Sequence, residues 1–339
     1  MKKIDEKIQE IVIKLFDDNK IDLFIGYEGG TLPLQSRPFF IRREAGQNRA
    51  AAVGKLVWNS FCSNNLAVYL PKYFENNPFK RKNEQTPKLK VGIAAKGCDL
   101  RSIFTLIKEK QALRENLVLI GVPCMGMVDK RKVLSLVHGD EIDTWVENQD
   151  GTLQMTTAFG KSITVAREEA LQEACRECRF PAPENTDFII EGKSREAGNG
   201  GYQVIDEFEK QDVKVRWEYF KKEISKCIRC NACRQACPTC YCKECFAEQT
   251  DLRWIGVSTE LTDTMIFHLI RIFHQAGRCV ECDACYRACP MNIDLRTFTK
   301  KIVKDVDEFF KYRPNFSMEE TPPLSTFKEG DCESFITEP

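Results

Sequence analysis

The feature that most restricts what this chain can fold into is a cysteine pattern written twice. Cys227-Ile228-Arg229-Cys230-Asn231-Ala232-Cys233-Arg234-Gln235-Ala236-Cys237-Pro238 and Cys279-Val280-Glu281-Cys282-Asp283-Ala284-Cys285-Tyr286-Arg287-Ala288-Cys289-Pro290 both spell C-x2-C-x2-C-x3-C-P. In such a run three closely spaced thiolates hold one [4Fe–4S] cube, and the fourth Cys ligates the cube of the other run. Two [4Fe–4S] clusters are therefore expected. One takes Cys227, Cys230, Cys233 and Cys289; the other takes Cys279, Cys282, Cys285 and Cys237. Zinc knuckles pair C-x2-4-C units and do not place a fourth Cys before Pro twice over. A secreted disulfide scaffold fits poorly with the length and with an odd count of 17 cysteines. A chain so equipped moves single electrons.

Bulk properties narrow the partners. Over 339 residues, 50 basic and 50 acidic side chains cancel, so neither nucleic acid nor an anionic membrane surface is expected. No apolar run is long enough to span a bilayer, and the opening Met1-Lys2-Lys3-Ile4-Asp5-Glu6 has no signal-peptide apolar core. Membrane insertion is not expected, and thiolate clusters suit a reducing cytoplasm.

The length allows two domains. Ile4, Ile8, Ile11, Val12, Leu15 and Phe16 recur at helical spacing. Short apolar strands are predicted at 21–25, 39–41, 89–95, 117–121 and 188–190, with helical stretches at 64–74, 99–110 and 166–178. This alternation predicts an α/β N-terminal domain, a mixed sheet with parallel strands, over residues 1–192. The glycine-rich stretch 192–201 reads as a mobile loop, within a linker of 193–213. Residues 214–312 read as mostly helical: one helix at 214–224 leads into the first run. Met265, Ile266, Leu269, Ile270 and Phe273 mark an amphipathic helix in the spacer, ending at Gly277. Residues 313–339 read as an extended tail, disordered or draped over a partner.

The doubled run is that of bacterial ferredoxins. With its long helical spacer, the segment 217–312 resembles the α-helical dicluster ferredoxins, such as the iron–sulfur subunits of heterodisulfide reductase and succinate dehydrogenase, in that portion alone. A mostly helical dicluster ferredoxin domain is thus expected after the α/β domain.

Further cysteines sit at telling places in the first half. Cys98 follows one predicted strand and Cys124 another, and loops leaving the carboxyl ends of parallel strands form the functional edge of an open α/β sheet. Cys175-Arg176-Glu177-Cys178 supplies a C-x2-C pair. Four such thiols suffice for a third [4Fe–4S] cluster; a zinc site and buried apolar thiols are the alternatives. The segments Lys96-Gly97-Cys98-Asp99-Leu100-Arg101, Gly121-Val122-Pro123-Cys124 and Cys175-x2-Cys178 resemble the beta-subunit family of coenzyme F420-reducing hydrogenase and formate dehydrogenase, over residues 23–192. That resemblance implies FAD and an iron–sulfur cluster held by Cys98, Cys124, Cys175 and Cys178. It also implies electron relay between a hydride carrier and a hydrogenase or formate dehydrogenase subunit. The chain departs from the family in carrying its helical dicluster segment afterwards.

A flavin needs phosphate contacts. Gly26-Tyr27-Glu28-Gly29-Gly30-Thr31 matches neither a P-loop nor G-x-G-x-x-G. Its backbone N–H groups could still cradle a pyrophosphate, a bare turn being the plainer reading. Lys96 and Arg101 could meet an anionic cofactor or simply be solvated, and Tyr27 could stack on an isoalloxazine ring or sit in the core. Cys240, Cys242 and Cys245 could hold a further metal with Cys62 or a partner residue, or be spare thiols around the clusters. Cys332 reads as a bystander. His138, His268 and His274 show no ligand spacing and read as structural.

The leading functional reading is an electron-transfer subunit of a cytoplasmic multi-subunit oxidoreductase. It would relay electrons between a flavin and partner redox subunits of hydrogenase, formate dehydrogenase or heterodisulfide-reductase type. The second reading is a non-catalytic iron–sulfur adaptor without flavin, bridging two redox enzymes. No nucleophile triad or carboxylate pair is apparent, so catalysis would belong to a cofactor.

Overall fold

The computed structural model describes residues 3–74, 89–148, 150–326 and 329. The chain divides into two compact units. Unit one takes residues 1–66, 72–100 and 113–200; unit two takes 67–71, 101–112 and 201–339.

Unit one opens with α1 (Ile4–Asp17), which buries Ile8, Val12, Leu15 and Phe16, an i, i+4, i+7, i+8 stripe. β1 (Leu23–Gly29) and β2 (Ser36–Arg42) then form an antiparallel hairpin. The short helices α2 (Arg49–Val53) and α3 (Leu70–Phe74) follow. β3 (Val91–Ala95) is buried at every residue, as a strand covered on both faces should be. It leads into α4 (Gly97–Lys108), after which β4 (Leu117–Gly121) returns parallel to β3. Beyond β4, α5 (Lys130–Leu136) precedes a three-stranded antiparallel meander of β5 (Ile142–Glu147), β6 (Thr152–Thr157) and β7 (Ser162–Ala166). Its turns use Gly151 and Gly160, both at positive φ. A single turn of helix, α6 (Glu173–Arg176), and the two-residue β8 (Phe188–Ile189) complete the unit. The main sheet has the order β2-β1-β3-β4-β8, parallel except for β2. It is the mixed sheet with parallel strands that the alternating pattern predicts.

The helix expected at 166–178 shrinks to α6, because β7 pairs with β6 up to Ala166. The glycine stretch 192–201 has no regular structure but is not a free loop: Arg195 N donates to Cys124 O and Gly198 N to Cys178 O, at 3.0 and 2.7 Å.

All regular structure after residue 200 is helical among the described residues: α7 (Gln203–Glu209), α8 (Val213–Ile224), α9 (Ala232–Gln235), α10 (Leu261–Phe273), α11 (Ala284–Ala288), α12 (Leu295–Phe310) and a short 3-10 turn at Pro323–Ser325. Asp212 and Asp294 cap α8 and α12 by accepting from Lys214 N and Thr297 N, satisfying donors left over in a first helical turn. Phe220, Ile224, Phe267, Ile272, Ile293, Leu295 and Phe298 form the core of unit two. Residues 193–213 are therefore not all linker. α7 buries Ile205, and its Asp206 and Glu209 pair with Lys304 of α12. The start of the tail is packed on its own chain. Phe316 is 5% exposed and lies edge-on to Phe104, while Pro314 O accepts from Arg101 Nε at 2.7 Å. Cys332 lies outside the described residues. No helix among those described is long and apolar enough to cross a membrane.

Candidate iron–sulfur sites

In unit two the cysteine runs fold as two copies of one loop. Cys227 Sγ accepts from Arg229 N and Cys279 Sγ from Glu281 N, each at 3.4 Å. Arg229 and Asn231 sit at φ +54° and +58°, and the matching Glu281 and Asp283 at +57° and +53°. Asn and Asp tolerate this left-handed backbone, but Arg and Glu do so at a cost of about 1–3 kcal/mol each. The same strain at the same two places in both runs turns backbone N–H groups towards sulfur. Each loop then enters a short helix, α9 or α11, and the two helices pack on one another.

The fold brings together thiols of different runs. Cys289 lies within electrostatic reach of Cys227 and Cys233, and Cys237 within reach of Cys285. Cys230 and Cys282 adjoin the thiols of their own runs. Burial pushes the Cys227, Cys233 and Cys279 thiols up and takes Cys285 to about 12. Thiolates so buried need a bound cation, and coordination to a metal deprotonates a thiol outright. Cys237 behaves otherwise. The hydrogen bond it shares with Cys240 holds it down. Cys245 is buried, Cys242 is exposed, and both line one recess with Cys240. Among the described residues no group of three or more His, Cys, Asp and Glu side chains is placed to hold a single metal ion. A cube spreads its thiolates over four irons, one on each.

Sequence reasoning misplaces the inner face of α10. Ile266 and Phe273 of the expected apolar stripe are 41% and 61% exposed. The helix instead buries Thr264, Phe267, His268, Arg271 and Ile272, with Gln275 just beyond its end. His268 Nε2 lies 3.3 Å from Cys227 Sγ. Burial, with Arg271 and Arg229 nearby, pushes its ring down to about 3, so it is neutral. Gln275 accepts from Cys237 Sγ at 3.5 Å and donates to Cys240 Sγ at 3.3 Å. A polar residue every three or four positions is the signal available in the sequence.

In unit one, Cys98 occupies the first turn of α4, directly after β3, and Cys124 follows β4. The segment 175–181 reaches these strand ends because glycines leave room. A Cβ on Gly97 would come 1.8 Å from Phe180 O, and one on Gly126, itself at φ +87°, would come 3.3 Å from Cys175 Cβ. Cys124 N donates to Pro181 O at 3.0 Å. Sulfur again receives backbone N–H groups: Gly126 to Cys124, Met127 to Cys175 and Phe180 to Cys178, at 3.3–3.4 Å. Burial and the adjoining Cys175 and Cys178 push Cys124 up to about 12. Cys124, Cys175 and Cys178 thus lie near one another beyond the end of β4, and Cys98 follows β3, the parallel neighbour of β4, in surroundings that fit a cluster.

The residues expected to meet a flavin do not fit it. Gly26 and Gly29 lie inside β1, and Gly30 N donates to Gln35 O to close the hairpin. Their backbone is strand and turn, not a phosphate cradle. Tyr27 is 1% exposed, with Trp58 edge-on to its ring and its hydroxyl donating to Asn64 O. Lys96, also 1% exposed, donates to Tyr27 Oη at 2.7 Å and Asn64 O at 3.1 Å and pairs with Asp99 at 2.8 Å. An ammonium has three donors, so none is left for a phosphate. Arg101 groups with unit two, where it is 3% exposed and donates to Pro314 O and to Val280 O, inside the second cysteine loop. Cys62 is occupied by its own loop, accepting from Asn59 N.

Residues 88–205 match the family model for the C terminus of the beta subunit of coenzyme F420 hydrogenase/dehydrogenase. That segment is similar to the beta-subunit family of coenzyme F420 hydrogenase/dehydrogenase. It contains Cys98, Cys124, Cys175 and Cys178. The chain is similar to the F420-dependent formate dehydrogenase subunit beta of Methanocaldococcus jannaschii, 23% identical over 69% of this chain and 76% of that one. It is also similar to the F420-dependent formate dehydrogenase 1 subunit beta of Methanococcus maripaludis, 24% identical over 72% and 76%. Among solved structures it matches a chain of the F420-reducing [NiFe] hydrogenase complex from Methanosarcina barkeri, with a TM-score of 0.36 and 17% identity. That match covers 51% of this chain and 59% of the hydrogenase chain.

Proposed function

We propose that this protein is an electron-transfer subunit of an oxidoreductase complex, passing electrons through [4Fe–4S] clusters to or from other redox subunits. The observation that carries the reading is the pair of matched loops in unit two, with Cys289 near Cys227 and Cys233 and Cys237 near Cys285. Cys227, Cys230, Cys233 and Cys289 would hold one cluster, and Cys279, Cys282, Cys285 and Cys237 the second. Cys98, Cys124, Cys175 and Cys178 would hold a third. When bound, such cubes supply one-electron transfer at a potential set by charge, hydrogen bonding to sulfur and solvent exposure. The chain's own part is to orient the thiolates, donate N–H groups to them and exclude water. The relatives named above are F420-dependent formate dehydrogenase subunits, which makes a cytoplasmic formate dehydrogenase- or hydrogenase-type complex the proposed setting.

FAD belongs to this reading through the family resemblance, as the converter between hydride and single electrons; no side chain of this protein is assigned to it. The engagement of Tyr27, Lys96 and Arg101 within the chain favours, as a second reading, an iron–sulfur adaptor without flavin. The native complex, purified anaerobically, separates the two. Acid-released flavin stoichiometric with this chain, after subtraction of flavin held by partners, supports the flavin relay. Three clusters in this chain with no unassigned flavin leave the adaptor. A chain without iron refutes both.

A further inference from the structure

Three arginines line the recess that Cys240, Cys242 and Cys245 form with α10, and two of them have their own carboxylates. Arg234 pairs with Glu248 at 2.6 Å and Arg278 with Glu109 at 2.5 Å. Arg271, on the inner face of α10, differs. It is 3% exposed, Nη2 donates to Cys233 O at 3.0 Å, and Nε and Nη1 have no hydrogen-bond partner among the described residues. Its electrostatic neighbours are the thiols of Cys285, Cys233, Cys240 and Cys237. Three of these are proposed ligands: Cys233 from one cluster, Cys285 and Cys237 from the other. A buried guanidinium without a carboxylate partner is costly, and arginine stays protonated, so Arg271 is a buried cation.

We propose that Arg271 is a positioning residue for electrons, a fixed positive charge shared by both clusters of unit two that raises both reduction potentials. This rests on the cluster reading above. Reduction adds one negative charge to a cube, and a nearby cation stabilises the more negative state. The two unpartnered N–H groups would also meet sulfur acceptors, and hydrogen bonds to cluster sulfur act in the same direction. His268 and Gln275 flank Arg271 on the same face but bring no charge. Arg271 is thus the group through which one substitution moves both clusters together.

The test is an EPR-monitored redox titration of the full chain, reconstituted anaerobically, as wild type, Arg271→Gln and Arg271→Lys. Arg271→Gln is expected to keep its iron and to lose at least tenfold in the one-electron reduction constant of both clusters, a fall of about 59 mV for each tenfold. Arg271→Lys keeps the charge and is expected to stay near wild type. If Arg271→Gln loses iron while Arg271→Lys retains it, the charge is needed to hold the clusters, which also supports the proposal. Full iron with unmoved potentials in Arg271→Gln overturns it, as does equal loss of iron in both variants, which would mark a packing role for the guanidinium. A wild-type chain that takes up no iron refutes the cluster reading itself.

Discussion

In unit two, three thiols of each proposed cluster come from one short loop, and a second copy of that loop supplies the fourth. In unit one, Cys98, Cys124, Cys175 and Cys178, the proposed ligands, lie beyond the end of β3, beyond the end of β4 and around α6, and only the folded sheet could bring them together. The first arrangement is enforced locally, by positive-φ residues at Arg229, Asn231, Glu281 and Asp283. The second is enforced by absent side chains, above all at Gly97 and Gly126. A local site should tolerate distant damage and fail when a ligand is lost. A tertiary site should fail when the packing that assembles it is disturbed, even with every ligand in place.

The largest effects should come from breaking each arrangement at its own weak point. Cys175→Ser with Cys178→Ser is expected to lower iron by about four per chain, one cube, and to leave the unit-two signals unchanged. Gly97→Ala should do the same without touching a ligand, because the new methyl would meet Phe180 O. Retention of full iron by Gly97→Ala would show that unit one is not assembled in this way. Cys289→Ser sharpens the contrast from the other side. It should disturb the cube of Cys227, Cys230 and Cys233 and spare that of Cys279, Cys282 and Cys285, as Mössbauer spectra of the two variants would reveal.

A middle-sized effect is expected at Lys96. Lys96→Met leaves Asp99 buried without its partner, which should destabilise unit one by about 3–5 kcal/mol. Urea unfolding of the full chain measures this. A loss of flavin with unchanged stability would instead return Lys96 to a cofactor contact. The smallest effect belongs to the segment joining the thiols from outside. Arg195 pairs with Glu168, whose side chain is 63% exposed, so Arg195→Ala should cost only about 0–1 kcal/mol and leave iron content unchanged. The backbone bonds of Arg195 and Gly198 to Cys124 and Cys178, rather than this ion pair, tie the segment down.

Legibility in the sequence follows the same division. The doubled run needs no tertiary structure to be recognised, and the parallel strands β3 and β4 announce themselves as short apolar runs. The meander β5–β7 escapes the search for apolar runs, although β6 alternates buried Leu153, Met155 and Thr157 with more exposed residues. The glycines of β1 read as a turn because a hairpin register is invisible without its partner strand. α10 misleads most instructively. The rule that apolar residues face inward selects Ile266 and Phe273, whereas the helix buries His268 and Arg271. Polar side chains turned towards a core that is to hold charged clusters invert the ordinary pattern. Lys96 and Arg101 are legible as cations but not as internal ones, since only the fold supplies Asp99, Tyr27 and the Val280 carbonyl.

The number of cubes in the chain, and their places, can be counted directly. Iron, acid-labile sulfide and zinc should be measured on the anaerobically purified full chain, wild type beside Cys175→Ser/Cys178→Ser. Three cubes predict about twelve irons in the wild type and about eight in the variant, with equivalent sulfide and no zinc. Equal iron in the two proteins, or zinc in place of iron at the Cys175–Cys178 site, would contradict a cluster assembled by the sheet of unit one.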